Sequence, residues 1–379
     1  MFTPENSLIV DEIRLNTNST KWEKYGEDII PLWVADMDFK SPEAIINALK
    51  KRVEHGVFGY TSISKQLDQA IINNAKARYN WDIDANEISY LPGLVCALYL
   101  SIQTYTNSGD GVVVPGPVYH NINKSVTHSD RTLHTVPMVL LDGRWIPDMD
   151  AFESYCAKEK TKLILLCNPH NPGGTVFRRH ELEKIHNLAE KYDLLVISDE
   201  IHCDLLLDPK LTHVPFASIN EAAAQRTITL MAPSKTYNIA GLGLSYAVTK
   251  NTTLRTKFNT AKKGLLPDPN LLAITATLVA YTECHEWHVD LIKYLRKNSE
   301  LINKRLANTQ CKMATLEATY LAWIDVSYLN LDNAEQHFLK AGVAISDGKQ
   351  FGNSNFIRLN FGCSHQLLDQ ALTKLLTAL

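Results

Sequence analysis

The most regular feature of the chain is an alternation of short apolar runs with longer amphipathic stretches. Residues 112–114, 163–166 and 194–197 form continuous apolar runs, which are typical of strands buried on both faces of a parallel sheet. Stretches with helical periodicity, such as residues 180–192, separate these runs. The alternation predicts an α/β fold in which helices cover both faces of a mainly parallel sheet.

The last third of the chain has a different pattern. After a further predicted strand at residues 227–231, it predicts a long helix from about residue 287 to 308, a strand at 320–325 and a final helix near 367–376. Because 379 residues exceed the usual size of one domain, we expect two. We place a large domain at residues 45–285 and a small α+β domain at 286–379, with residues 1–44 joining the small domain.

Polar, turn-rich segments follow the apolar runs. They are the sequences PGPVY (115–119), CNPHNPGGT (167–175), SDE (198–200) and APSK (232–235). Because the carboxyl ends of parallel strands meet at one edge of a sheet, we expect these segments to surround a single pocket.

Composition narrows the classes of partner. The net charge of −3, without any block of Lys and Arg, argues against a nucleic acid or an anionic membrane. No signal peptide and no apolar run of roughly 18 residues is recognisable. The seven cysteines are scattered without CxxC spacing, which favours reduced packing thiols over disulfides or a zinc site. We therefore expect a cytoplasmic protein that acts on small molecules.

Four motifs carry a resemblance to a known family. NPHNPGG (168–174), SDEIH (198–202), APSKTYNIAGL (232–242) and FIRLNFG (356–362) occur in the order found in fold-type I pyridoxal-phosphate (PLP) enzymes, the aspartate aminotransferase superfamily. The resemblance covers nearly the whole chain. It implies a large domain with a mainly parallel seven-stranded sheet, a smaller α+β domain, and PLP as cofactor.

The resemblance assigns the reactive amine and the residues around the cofactor ring. A Schiff-base enzyme needs a lysine with a pKa below the usual value of about 10.4, and Lys235 follows an apolar strand. Freed by the substrate amine, Lys235 would become the general base for the Cα proton. Asp199 would keep the ring nitrogen protonated and Asn171 would bind the phenolate oxygen, although a helix N-cap and a plain turn are alternative roles. His202 stands where aspartate aminotransferases carry a tyrosine, so it becomes a further candidate cofactor contact.

The phosphate group requires backbone N–H donors at the start of a helix. By resemblance, Gly93, Leu94 and Val95 supply them, and Ser234 adds its hydroxyl. Many relatives also have an arginine eight residues after the lysine, where this chain has Gly243. The phosphate charge must therefore be balanced differently here.

Two tyrosines resemble cofactor contacts of the family. Tyr119 matches the aromatic residue that stacks on the ring, with a core tyrosine as the alternative. Tyr60 matches the tyrosine that reaches the phosphate of the neighbouring subunit. This match implies a homodimer with shared active sites.

The substrate end of the site is assigned in the same way. Arg358 matches the arginine that binds the substrate α-carboxylate, a task suited to a planar and permanently charged donor. Trp33, Val34 and Ala35 would line this end, although Trp33 could equally belong to a packed N-terminal strand. The resemblance thus implies an amino acid substrate.

The acidic, His- and Cys-bearing sequence DEIHCD (199–204) could suggest a metal site. Alternation along a strand would point neighbouring side chains to opposite faces, and no second His/Cys cluster completes a coordination set. We therefore predict no metal.

The reaction type is suggested only by a subfamily. PLWVADMDF (31–39), GVFGYT (56–61), SDEIHCDL (198–205) and GVAISDGKQFG (342–352) are similar to the MalY/PatB group of cystathionine β-lyases and cysteine-conjugate C–S lyases. The implied reaction is α,β-elimination to pyruvate, ammonia and a thiol. Two alternatives stay open: an aminotransferase for aromatic or neutral amino acids, and a regulatory protein that retains PLP.

Overall fold

The computed structural model describes residues 14–379, as alternating strands and helices. The strands are β1 (Ile30–Pro31), β2 (Ile88–Leu91), β3 (Gly111–Gly116), β4 (Thr132–Leu141), β5 (Arg144–Pro147), β6 (Thr161–Cys167), β7 (Leu195–Asp199), β8 (Thr227–Met231), β9 (Ser245–Val248), β10 (Lys312–Met313), β11 (Leu321–Asp325), β12 (Val343–Ala344), β13 (Ser346–Asp347) and β14 (Phe356–Asn360). The helices are α1 (Thr20–Glu23), α2 (Glu43–Glu54), α3 (Lys65–Tyr79), α4 (Leu94–Tyr105), α5 (His120–Thr127), α6 (Met149–Cys156), α7 (Arg179–Lys191), α8 (Glu221–Arg226), α9 (Thr252–Lys262), α10 (Leu271–Glu283), α11 (His285–Leu306), α12 (Ala334–Lys340) and α13 (His365–Leu376).

A large sheet forms the centre of the fold. Its strand order is β2-β9-β8-β7-β6-β3-β4-β5. The three apolar runs of the sequence are β3, β6 and β7, and the further predicted strand at residues 227–231 is β8. These four strands are parallel neighbours in the order β3-β6-β7-β8. All residues of β6 except Lys162 are buried, because helices cover both faces of the sheet. The predicted α/β class with a mainly parallel sheet is confirmed.

The sheet has eight strands where the resemblance implied seven. The additional strand is β5, which pairs antiparallel with β4. Asp142 and Gly143 connect them with positive φ angles of 50° and 79°, as a two-residue hairpin turn requires. This short hairpin extends the edge of the sheet beyond β4.

A second, antiparallel sheet lies in the C-terminal part, in the order β10-β11-β14-β13. Buried residues of α11 and α13 pack in one cluster with those of β11 and β14. The N-terminal segment joins this region, since β1 pairs in parallel with β12. The predicted long helix, strand and final helix are confirmed as α11, β11 and α13, whereas the domain boundaries at residues 44/45 and 285/286 stay a prediction.

Two further findings concern the described residues. None of their helices is both long and apolar enough to cross a membrane. All seven cysteines lie among them as free thiols, and only Cys96 is partly exposed.

Candidate active site

A cavity of about 400 Å³ lies beyond the carboxyl ends of the central strands. All the predicted site residues except Tyr60 line it: Trp33, Val34, Ala35, Gly93, Leu94, Val95, Tyr119, Asn171, Asp199, His202, Ser234, Lys235 and Arg358. Their sequence positions span more than 300 residues. The parallel sheet brings Asn171, Asp199 and Lys235 together because its strands end at a common edge, and the small antiparallel sheet adds Arg358.

Lys235 lies in the turn that follows β8, with its amine at the cavity. Nζ donates to the carbonyl oxygen of Ala35 at 2.7 Å. Burial lowers the pKa of Lys235 to about 8, although Asp36 and Asp199 partly oppose this shift. About a tenth of the amine is therefore neutral, and nucleophilic, at pH 7, far more than for an ordinary lysine.

Asp199 is the last residue of β7 and is buried. Oδ1 accepts a hydrogen bond from the N–H of Ile201 at 3.2 Å, whereas Oδ2 accepts none within the described chain. Burial raises the pKa of Asp199 to about 7, so a cationic partner would be needed to hold it fully ionised. The residues that follow form turns, and the next helical segment is a short 3₁₀ helix at Phe216–Ser218. Asp199 is therefore not a helix N-cap.

Arg358, on β14, contacts Asn171 at the cavity. Its Nη1 donates to Asn171 Oδ1 at 3.0 Å and its Nη2 to the carbonyl of Trp33 at 2.9 Å, while the buried Nε finds no partner in the described part of the chain. Burial lowers the pKa of Arg358 to about 10. No carboxylate among the described residues pairs with this buried cation. Such a site favours an anionic ligand.

Residues 33–36 form a wall between the small sheet and Lys235. Side chains bind the carbonyl oxygens of all four residues. Arg358 donates to the carbonyl oxygen of Trp33, and Asn360 donates to those of Val34 and Asp36. Lys235 and Tyr320 both donate to the carbonyl oxygen of Ala35. This part of the cavity is thereby held in a fixed position against the small sheet.

The opposite end of the cavity has the geometry of an anion site. The first N–H groups of α4, which begins after Gly93, have no carbonyl one turn earlier to bind. The nearby Ser234 hydroxyl makes no hydrogen bond within the described residues. Gly243 has a φ of +68°, and a Cβ there would lie 2.8 Å from the carbonyl oxygen of Pro92. This close packing explains why an arginine does not fit at position 243.

Two further aromatic side chains, Tyr119 and His202, line the cavity. Tyr119, which lies immediately before α5, is half-buried, and its hydroxyl accepts from Asn121 Nδ2 at 2.7 Å. It packs against two core clusters as well as lining the cavity, so both interpretations of Tyr119 have a structural basis. His202 is buried, and burial lowers its pKa to about 3, which keeps the ring neutral.

Tyr60 lies away from the cavity of its own chain. It is fully exposed, in a stretch between α2 and α3 that forms neither helix nor strand. Val57 and Phe58 in the same stretch are also exposed. Its predicted contact with a neighbouring subunit stays a prediction.

The side chains of the sequence DEIHCD diverge. Glu200 turns away from the cavity and binds His213 at 2.6 Å, while Asp204 binds Tyr79 and Arg78. Among residues 14–379, no group of three or more His, Cys, Asp or Glu side chains could hold a metal ion.

Several residues line the cavity in addition to the predicted ones: Thr20, Asp36, His120, Cys167, Ile201, Ala240, Leu244, Ser346 and Gln350. Asp36, Ser346 and Gln350 lie inside motifs shared with the subfamily, which was the available signal. Thr20 has no such signal, since it lies outside every motif and far from the strand ends. His120 directly follows the PGPVY segment but is outside the quoted motif.

Comparisons with known proteins agree with this geometry. The sequence profile described as aminotransferase class I and II matches residues 27–375. The chain is 38% identical to cystathionine beta-lyase PatB of Bacillus subtilis strain 168, covering 97% of this chain and 98% of PatB. It is similar to the crystal structure of OvoB, with 42% identity, a TM-score of 0.94 and 97% of each chain covered. It is also similar to the PLP-bound C-S lyase from Staphylococcus hominis, with 30% identity, a TM-score of 0.92 and 98% of each chain covered.

Proposed function

Because this chain belongs to the class I and II aminotransferase family, we propose that it is a PLP-dependent C–S β-lyase. Its substrates are L-cystathionine or related cysteine thioethers, and its products are pyruvate, ammonia and a thiol. The observation that carries the proposal is the convergence of Lys235, Asp199 and Arg358 on one cavity. The activity named for PatB and for the Staphylococcus hominis enzyme supports elimination as the reaction.

The cavity residues fit PLP. The amine of Lys235 suits the aldehyde, and the unpaired N–H groups at the start of α4 suit the phosphate. The second oxygen of Asp199 is free to accept from a protonated ring nitrogen, whose charge would hold this carboxylate ionised. Asn171 accepts a hydrogen bond from Arg358. When a substrate carboxylate binds Arg358 instead, Asn171 becomes available to contact the phenolate oxygen. Each polar group of the cofactor thus has a matching group in the chain.

The residues of the chain divide the reaction between them. Arg358 binds the α-carboxylate and so fixes the Cα–H bond relative to Lys235. When bound, PLP supplies an electron-withdrawing ring that acidifies the Cα proton. Lys235 Nζ removes that proton, the Cβ–S bond breaks, and the sulfur leaves with the bonding electrons as a thiolate. Water then completes the conversion of the remaining fragment into pyruvate and ammonia.

A comparison of two activities tests this assignment against the aminotransferase alternative. Pyruvate release from L-cystathionine is measured beside transamination of L-phenylalanine and L-alanine with 2-oxoglutarate. The proposal expects elimination to have the higher kcat/KM. Faster transamination of either amino acid would assign the site to the alternative.

Arg358→Ala should weaken all amino acid substrates by a similar factor. The lost bidentate ion pair with the α-carboxylate corresponds to roughly a 100-fold increase in KM. Steady-state kinetics with L-cystathionine and two S-alkyl cysteines measure it. Arg226→Ala, which removes a half-buried arginine far from the cavity, is the control. A loss confined to one thioether would place Arg358 at the leaving group instead.

The pKa of Lys235 predicts how cofactor capture depends on pH. Protonated lysine is not nucleophilic, so capture of PLP by the apoprotein should accelerate about tenfold per pH unit below pH 8 and level off above it. Stopped-flow absorbance measures the rate. A midpoint near the ordinary lysine pKa would show that the amine is not desolvated.

We further propose a homodimer in which Tyr60 reaches the phosphate end of the neighbouring site. Val57, Phe58 and Tyr60 form an exposed apolar patch of the kind found at protein interfaces. Val95, at the phosphate end of the cavity, is also partly exposed, so this end is open to a second chain.

Mixed dimers test the shared site. Tyr60→Ala and Lys235→Ala subunits, each of low activity alone, should regain activity when unfolded and refolded together. One of the two sites in each mixed dimer then holds both native residues. Self-mixtures of each variant are the control. No gain after demonstrated subunit exchange would place Tyr60 outside the site.

The cytoplasm is the proposed location. Seven thiols without a disulfide suit a reducing compartment. No nucleic acid or membrane partner is proposed, and the partner of the cavity is a small amino acid.

A further inference from the structure

Several polar side chains at the cavity have no function in the chemistry assigned so far, and His120 is one of them. His120, the first residue of α5, lines the cavity beside Tyr119, with the two ring centroids 4.6 Å apart. On its other side lies Phe351 of the small domain, at 6.4 Å. His120 thus stands where the large domain faces the small domain, on the Arg358 side of the cavity.

The imidazole of His120 makes no hydrogen bond within residues 14–379. Its Nδ1 is buried and unpartnered, which leaves Nε2 as the nitrogen accessible to a ligand. Burial, together with Lys124 and Arg358, lowers the pKa of His120, so the ring is neutral. A neutral imidazole with a free nitrogen offers one hydrogen-bond donor or acceptor, according to its tautomer.

The charged groups of the cavity are already engaged. Asp36 pairs with Arg14 at 2.7 Å, Lys235 and Asp199 are committed to the cofactor, and Arg358 to the α-carboxylate. The described lining therefore leaves no cation for a second carboxylate. Lys24, whose Nζ lies 4.4 Å from the centre of the Trp33 ring, is outside the lining and pairs with Glu335 at 3.7 Å.

The remaining polar lining is uncharged. Gln350 and Thr20 line the cavity together with His120, and Trp33 adds an aromatic surface. Burying a polar group against such residues is favourable only when it finds a hydrogen-bond partner. A substituent that is neutral and able to form a hydrogen bond fits this lining best.

We propose that His120 is a specificity-determining residue that hydrogen-bonds the sulfur substituent of the substrate. This inference rests on the proposed lyase function and specifies its substrate class. The preferred thioethers carry an uncharged hydrogen-bonding group on the sulfur. L-Cystathionine, with a distal zwitterion, is cleaved less well than they are.

Three synthetic thioethers test the proposal by pyruvate release with the holoenzyme. S-(2-hydroxyethyl)-L-cysteine and S-propyl-L-cysteine have equal numbers of heavy atoms and differ in a hydroxyl against a methyl group. S-(2-carboxyethyl)-L-cysteine adds a negative charge. In the native enzyme, kcat/KM for the hydroxyethyl substrate should exceed the other two by about tenfold, the effect of one hydrogen bond.

His120→Phe should reduce the hydroxyethyl-to-propyl ratio to about one, because the ring loses its polar atoms while its shape is roughly kept. His120→Gln should retain part of the preference. The matched control is His128→Phe, at the exposed end of the same helix, which should keep the native ratio. If His120→Phe fails to bind PLP, the comparison of His120→Gln with the native enzyme decides.

Three results would overturn the proposal: a native ratio near one, a ratio unchanged by both His120 variants, or a preference for the carboxyethyl substrate. Turnover of thioethers with any of these results leaves the lyase function intact. Absence of pyruvate from all three substrates and from L-cystathionine overturns the lyase function, and the specificity proposal with it.

Discussion

Lys235→Ala should reduce pyruvate release from L-cystathionine by at least about 10³-fold. The variant lacks both the amine that binds the aldehyde and the base that removes the Cα proton. The visible absorption band of the lysine-bound cofactor disappears as well. Absorbance spectra of PLP-reconstituted protein and steady-state assays measure both effects.

Lys250→Ala provides the matched control, since Lys250 is a half-exposed lysine paired with Glu221 on the surface. It should leave the spectrum and the rate unchanged. A Lys235→Ala protein that keeps the absorption band and more than a tenth of the activity would remove Lys235 from the reaction.

Asp199→Asn has the second largest expected effect, a decrease in kcat of about 10³-fold with little change in KM. The amide keeps the size of the side chain but loses the negative charge that stabilises a protonated ring nitrogen. The buried position of Asp199 strengthens this interaction, since water does not screen it. Kinetics with saturating L-cystathionine measure the loss.

The control for this substitution is Asp193→Asn, which changes a fully exposed aspartate whose positive φ an asparagine tolerates. It should retain native activity. If Asp199→Asn lowered thermal stability but left kcat within a factor of three, Asp199 would have only a structural role.

The central site was predictable because its reactive residues come at or shortly after the ends of the strands in the sequence. Asn171, Asp199 and Lys235 each come shortly after an apolar run, and parallel strands place such residues at one edge. Periodicity located the strands, whereas the cofactor was implied by the resemblance of four motifs to the PLP enzymes. Arg358 needed the family motif, since its strand is antiparallel and gives no positional signal.

Other features depend on contacts between distant segments. The carbonyl groups of residues 33–36 are fixed by side chains from the C-terminal third, which no local pattern predicts. His120 lines the cavity where the C-terminal segment that carries Phe351 packs beside α5. The eighth strand depends on the hairpin at Asp142–Gly143, which pairs β5 with β4 at the edge of the sheet. The contact proposed for Tyr60 is with a neighbouring subunit, so no pattern within one chain locates it.

The most direct test of the account is the number of turnovers without an acceptor. PLP-loaded enzyme is incubated with L-cystathionine alone, and pyruvate, ammonia and homocysteine are counted per active site. Elimination returns the cofactor to its aldehyde form, so we expect equal amounts of the three products, far above one per site, without any 2-oxo acid. The lyase function would be contradicted if the reaction stopped at one equivalent per site, with PLP converted to its amine form, and resumed when a 2-oxo acid was added.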